Sequence, residues 1–111
     1  TMTTNTYQET EPSLTEVEAY TGPVVLDFGT EWCGFCQAAL PFISAAMAEH
    51  AQIPHIKIAD GRGKLLGRAF KVKLWPTLIF LSNGKEIARL VRPDNTDAVR
   101  NALALIDNAT N

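Results

Sequence analysis

Apolar positions come in short bursts along the chain, and their spacing changes from burst to burst. Val24 to Phe28 is apolar except for Asp27, the pattern of a short strand buried on both faces. From Gln37 to His50 the spacing is helical, with Leu40, Ile43 and Met47 toward a core and alanines between them. Pro41 lies inside that pattern and is expected to kink it, because it removes a backbone donor and crowds the preceding turn. Ile53 to Ala59 reads as a second strand, with Pro54 at its edge. Lys64 to Phe70 reads as a short helix with Leu65, Leu66, Ala69 and Phe70 inward. Thr77 to Leu81 is a third strand, Ser82-Asn83-Gly84-Lys85 a hairpin turn, and Glu86 to Val91 the returning strand. After Pro93-Asp94-Asn95-Thr96 a last helix presents Val99, Ala102, Leu103 and Ile106. Near the start, Ser13 with Glu16 three residues on is a capping-box pattern for a short helix. Its inward residues would be Leu14, Val17 and Tyr20, and Thr21-Gly22-Pro23 would end it. Residues 1 to 11 lack periodicity. A short edge strand around Thr6–Gln8 is the one element expected there, the rest being mobile. The tail after Asp107 is polar. Strand–helix–strand–helix followed by a hairpin and a helix predicts an α/β domain: a mixed central sheet with helices on both faces, in three layers.

Length and composition narrow the function. At 111 residues the chain holds one domain, 1–111, with no internal repeat or linker. Hydrophobic residues are 46 % and charged residues 20 %, ordinary for a globular domain. A net charge of -2 leaves no electrostatic footprint for nucleic acid or an anionic membrane. No apolar stretch approaches the length of a membrane span. Thr1 ahead of Met2 suggests an added residue before a native start. The first residues carry no signal-peptide pattern, so a cytoplasmic location is expected.

The two cysteines change the picture most. They are the only two in the chain, and a domain of this size does not need a disulfide to hold it together. Their spacing, Cys33-Gly34-Phe35-Cys36, points instead to redox chemistry or metal. Both open a helical pattern. A thiol there sits beside unsatisfied N–H groups and the positive end of the helix dipole, which favour the thiolate that attacks disulfides. Cys33 is the expected nucleophile. Cys36, one turn on, would resolve the mixed disulfide. A zinc reading must be weighed, because Cys33, Cys36, His50 and His55 have finger-like spacing. It needs both histidines on one helix face, and Pro54 immediately before His55 disfavours helix there. The histidines are expected at the surface, at a helix end and a strand start, and no metal is expected.

Taken together, Glu-Trp-Cys-Gly-Phe-Cys at 31 to 36, Asp27, Pro41, Lys57, Trp75-Pro76-Thr77 and Asn83-Gly84 resemble the thioredoxin family over nearly the whole chain. The resemblance implies the thioredoxin fold and a protein disulfide oxidoreductase that takes part in electron transport and redox homeostasis. It implies a monomer that needs no cofactor beyond the Cys33–Cys36 couple. Its partners would be protein disulfides and a reductase or other electron donor. Asp27 would be a buried carboxylate exchanging a proton with Cys36, and Lys57 would pair with it. Pro76 would be cis, crowding metal away from the thiols and leaving the Trp75 backbone free to pair with an extended substrate. Trp32, Gly34, Phe35, Trp75, Pro76 and Arg92 would line the substrate groove. Some positions depart from the family pattern. Phe35 replaces a common proline, Gly29 an aromatic, Trp75 a smaller residue and Arg92 a glycine. They leave open a dedicated binding or chaperone-type module serving one partner, or a disulfide oxidase. Phe35 brings no charge to depress the Cys33 pKa and so favours the reducing side.

Overall fold

The computed structural model describes residues 3–108. Eight elements follow in chain order: α1 (Leu14–Glu18), β1 (Pro23–Gly29), α2 (Gly34–Ala48), β2 (His55–Ala59), α3 (Leu65–Ala69), β3 (Thr77–Ser82), β4 (Lys85–Val91) and α4 (Thr96–Asn108). The sheet runs β2-β1-β3-β4. β1 pairs parallel with β2 and antiparallel with β3, which pairs antiparallel with β4, so the sheet is mixed as the pattern predicts.

Side chains on a strand alternate between faces, and β1 fills both. Val24, Leu26 and Phe28 join Ile56, Ile58, Ile79 and Leu81 under α1 and α3, where Val17 and Leu66 close the layer. Val25 joins Leu78 and Phe80 under α2 and α4, against Ile43, Met47, Leu103 and Ile106. The result is the three-layer α/β/α arrangement that the resemblance implies. Each fully buried Leu, Ile or Phe contributes roughly 1.5–3 kcal/mol to holding these layers together. Asp27 falls on the α2 side of the sheet, the side that carries the cysteines.

Not every apolar residue at helical spacing is buried. Leu14, Leu40, Leu65 and Ala69, expected inward, are exposed. A helix lying on a sheet buries one narrow stripe, which Val17 occupies on α1, Ile43 on α2 and Leu66 on α3. Helix α2 begins at Gly34, three residues before the expected Gln37, because Cys33 itself is the N-cap and its sulfur accepts a hydrogen bond from the Cys36 N–H. Pro41 lies within α2 and supplies no N–H to the carbonyl one turn back.

Residues 4–11 are hydrogen-bonded, although their sequence suggests mobility; Thr1 and Met2 lie outside the described residues. Thr4 and Gln8 donate backbone bonds to His55 and Lys57, and Ala59 donates to Gln8. Gln8 forms a parallel bridge with Ile58, the counterpart of the expected edge strand. This segment covers the outer edge of β2. Farther on, the Glu11 carboxylate accepts from the N–H groups of Leu65 and Leu66. It thereby caps α3, whose own N-cap, Lys64, makes no side-chain cap. No helix of the described residues is long and apolar enough to cross a membrane.

Candidate active site

Strand β1 ends at Gly29, and Thr30 to Trp32 carry the chain into α2, so both cysteines lie where strand meets helix. Both are free thiols and both are buried. The Cys36 N–H donates to Cys33 Sγ at 3.2 Å, so the helix start holds that sulfur directly. Cys36 faces inward. Burial, then the hydrogen bond with Cys33, push its thiol from the ordinary 9.0 up to about 11, while the Thr30 backbone and the Tyr7 hydroxyl pull the other way. At neutral pH Cys36 is therefore a thiol and must lose a proton before it can attack.

Asp27, two residues before Gly29 on β1, is 1 % exposed, and both carboxylate oxygens have partners. His55 Nε2 lies 2.8 Å from Oδ2, and the Tyr7 hydroxyl donates to Oδ1 at 3.3 Å. Lys57 was expected as the ion-pair partner. It faces Asp27 across the β1–β2 register, but its ammonium sits 4.4 Å above the Tyr7 ring in a cation–π contact. His55 takes the expected place because it lies two residues back on β2, and strand alternation puts it on the same face. It is thus no surface residue. His50 turns to Asp107, 3.5 Å away, so neither imidazole is directed at the sulfurs. Among the described residues no group of His, Cys, Asp or Glu is arranged to hold a metal ion.

Sequence reasoning missed Tyr7 and the Asp27 role of His55. The signal for His55 was present in the alternation His55-Ile56-Lys57 opposite Asp27. For Tyr7 there was only an indirect one, Gly29. A Cβ there would lie 2.6 Å from Cys36 Sγ and 2.9 Å from the Tyr7 hydroxyl. The aromatic ring absent from position 29 arrives from the chain's start.

The rim carries the remaining candidates. The Trp75–Pro76 bond is cis. The Trp32 and Trp75 rings meet edge to face with centroids 5.7 Å apart, and the Trp75 indole N–H donates to Asp60 Oδ2. Trp32 and Phe35 are exposed beside the sulfurs, with Gly34 between the cysteines. Arg92 spans the groove. Its guanidinium lies 3.6 Å from the Phe35 ring centroid, and its Nε donates to the Trp75 carbonyl at 2.8 Å. The Trp75 carbonyl, expected free for substrate, is occupied from within the chain.

Comparison with known proteins finds similarity to one family. The Thioredoxin family model matches residues 4–105. Thioredoxin H9 of Arabidopsis thaliana is 24% identical over 102 residues, covering 92% of this chain and 73% of that protein. Thioredoxin-1 of Saccharomyces cerevisiae is 32% identical over 81 residues, covering 73% and 78%. Among solved structures, reduced thioredoxin 2 from Pseudomonas aeruginosa superposes with a TM-score of 0.85 at 39% identity, covering 95% of this chain and 97% of the other.

Proposed function

The chain belongs to the thioredoxin family and is a thiol–disulfide oxidoreductase; from that premise we propose that it reduces protein disulfides through Cys33 and Cys36. Cys33 attacks the substrate disulfide, releasing one substrate thiol and leaving a mixed disulfide. Cys36 then gives up its proton and attacks Cys33 Sγ, which closes the Cys33–Cys36 disulfide and frees the second substrate thiol. The observation that carries this reading is the difference between the two sulfurs. One is held at a helix N-cap by an N–H, and the other is a high-pKa thiol beside the Tyr7 hydroxyl, which in turn bonds the buried Asp27 carboxylate.

Asp27 is the proton acceptor for Cys36 in this reading, and Lys57 and His55 hold the groups around it. Trp32, Gly34, Phe35, Trp75 and Pro76 form the apolar face on which substrate lies. We place the protein as a cytoplasmic monomer recharged by a reductase. In an insulin-reduction assay with a dithiol donor, wild-type protein should turn over and Cys33→Ser should be inactive. Equal rates for the two would reject the reading.

Arg92 favours a narrower variant of the same role. A substrate strand that pairs with the Trp75 carbonyl must first displace its guanidinium. Cys36→Ser, which arrests the mixed disulfide, should then trap few proteins. A broad set of trapped partners would show that Arg92 does not restrict choice.

A further inference from the structure

The Tyr7 hydroxyl touches both ends of the proton transfer just described. It donates to Asp27 Oδ1 at 3.3 Å, and it shares with Cys36 Sγ the space that a Cβ at Gly29 would fill. Its position is fixed from several sides. The Tyr7 backbone N–H donates to the Glu31 carboxylate at 2.6 Å, and Lys57 sits over the ring. Gln8, the next residue, is bonded into the edge of β2. His55 occupies Oδ2 of Asp27, which leaves Oδ1 to Tyr7. The ionisable groups facing this hydroxyl are Asp27 and Cys36, with Lys57 and Glu31 around the ring and backbone and His55 beyond the carboxylate.

We propose that Tyr7 is a catalytic residue, a proton carrier between Cys36 and Asp27, and that the segment of residues 4–8 is therefore part of the reactive centre. The inference rests on the proposed reductase reading for its place in the cycle. When Cys36 attacks Cys33 Sγ, the Cys36 proton passes to the Tyr7 oxygen as the phenol's own proton passes to Asp27 Oδ1. The Cys36–Cys33 bond forms, the Cys33–substrate bond breaks, and the substrate leaves as a thiolate with both electrons of that bond. Asp27 ends protonated and returns the proton to solvent before the next cycle. Tyrosinate is not needed as an intermediate. Burial, followed by the negative charges of Asp27 and Cys36, push the Tyr7 phenol far above its ordinary value, so it relays a proton while staying neutral.

The test uses the full chain and dithiobis-nitrobenzoate, a small aromatic disulfide whose thiol product is coloured. Attack by Cys33 releases one coloured thiol, and closure by Cys36 releases a second, so one trace reads both steps. Tyr7→Phe keeps the ring under Lys57 and removes only the hydroxyl. The second phase should slow at least about ten-fold near neutral pH while the first stays within about two-fold. Without the relay, closure should depend on bulk ionisation of Cys36 and climb steadily with pH toward about 11. In an Asp27→Asn background, Tyr7→Phe should add almost nothing. An unslowed second phase would overturn the proposal. Equal slowing of both phases, the mark of a damaged fold, would also do so, as would full additivity with Asp27→Asn. Because the reagent needs no protein partner, failure of insulin reduction and failure of the relay are read separately.

Discussion

Gly29 measures how little space the site leaves. Its neighbours in any substituted form would be the sulfur of Cys36 and the ring of Tyr7, both nearer than van der Waals contact. Gly29→Ala should destabilise the protein by about 1–3 kcal/mol, the usual cost of overpacking, read as a lower denaturation midpoint. Cys36 gives a second prediction at this scale, in pH. An unfolded reduced chain loses the Cys36 proton near 9.0 and the folded one only near 11. Between those values the folded state binds more protons. This contribution to stability is complete below 9.0 and is lost as pH rises to about 11. Thermal melts of reduced protein should therefore fall more steeply over that window than melts of Cys36→Ser, which has no thiol there. Parallel slopes would show that burial does not hold the proton on. Asp27 could be read from the sequence as a charge inside an apolar strand. Which side chain of β2 reached it could not. His55 and Lys57 share its face, and the choice turned on Tyr7 drawing Lys57 over its ring.

Among the elements, the strands and α4 were legible because their apolar residues run long enough to declare the element, whereas α2 starts three residues before its pattern and leaves Leu40 exposed. The α4 stripe of Val99, Ala102, Leu103 and Ile106 is buried in full. The short helices were less so. In five residues, α1 and α3 have barely more than one turn, and spacing alone does not say which of two adjacent leucines turns inward. Leu65 and Leu66 show this, the first exposed and the second 2 % exposed. Leu103→Ala should cost about 2.7–5 kcal/mol, a cavity in the α2–α4 layer. Leu65→Ala should stay within about 0.5 kcal/mol of wild type. Chemical denaturation of the two variants checks the pair, and similar losses would mean that the α3 face is assigned wrongly. The cap on α3 was beyond sequence reading, since Glu11 reaches it across 54 residues of chain.

For the whole molecule, the two edges of the sheet are treated differently. The β4 edge is exposed and carries Lys85, Glu86 and Arg89, charges that discourage pairing with another chain. The β2 edge is covered by residues 4–8, which accept from the N–H groups of Lys57 and Ala59 and donate to the carbonyls of His55 and Lys57. Removing residues 1–8 should bare that edge together with the Asp27 side of the site. The truncated protein should melt earlier and aggregate on heating, followed by calorimetry and light scattering. An unchanged melt would mean that the segment adds nothing to the fold. The same segment supplies Tyr7, so edge protection and the proton path are joined in one stretch of chain.

By itself the sequence determined the order and type of the elements, the mixed sheet with helices on both faces, and a thiol at a helix start with its mate one turn on. Those features are local: periodicity, capping and turn chemistry act over a few residues, so a linear reading captures them. Only the tertiary structure decided that His55 and Tyr7 hold Asp27, that Lys57 lies over an aromatic ring, and that Arg92 occupies the Trp75 carbonyl. Each of these contacts joins residues far apart in the chain. Each depends on strand register and side-chain reach, and only the His55 contact left a trace in a local pattern, the alternation from His55 to Lys57.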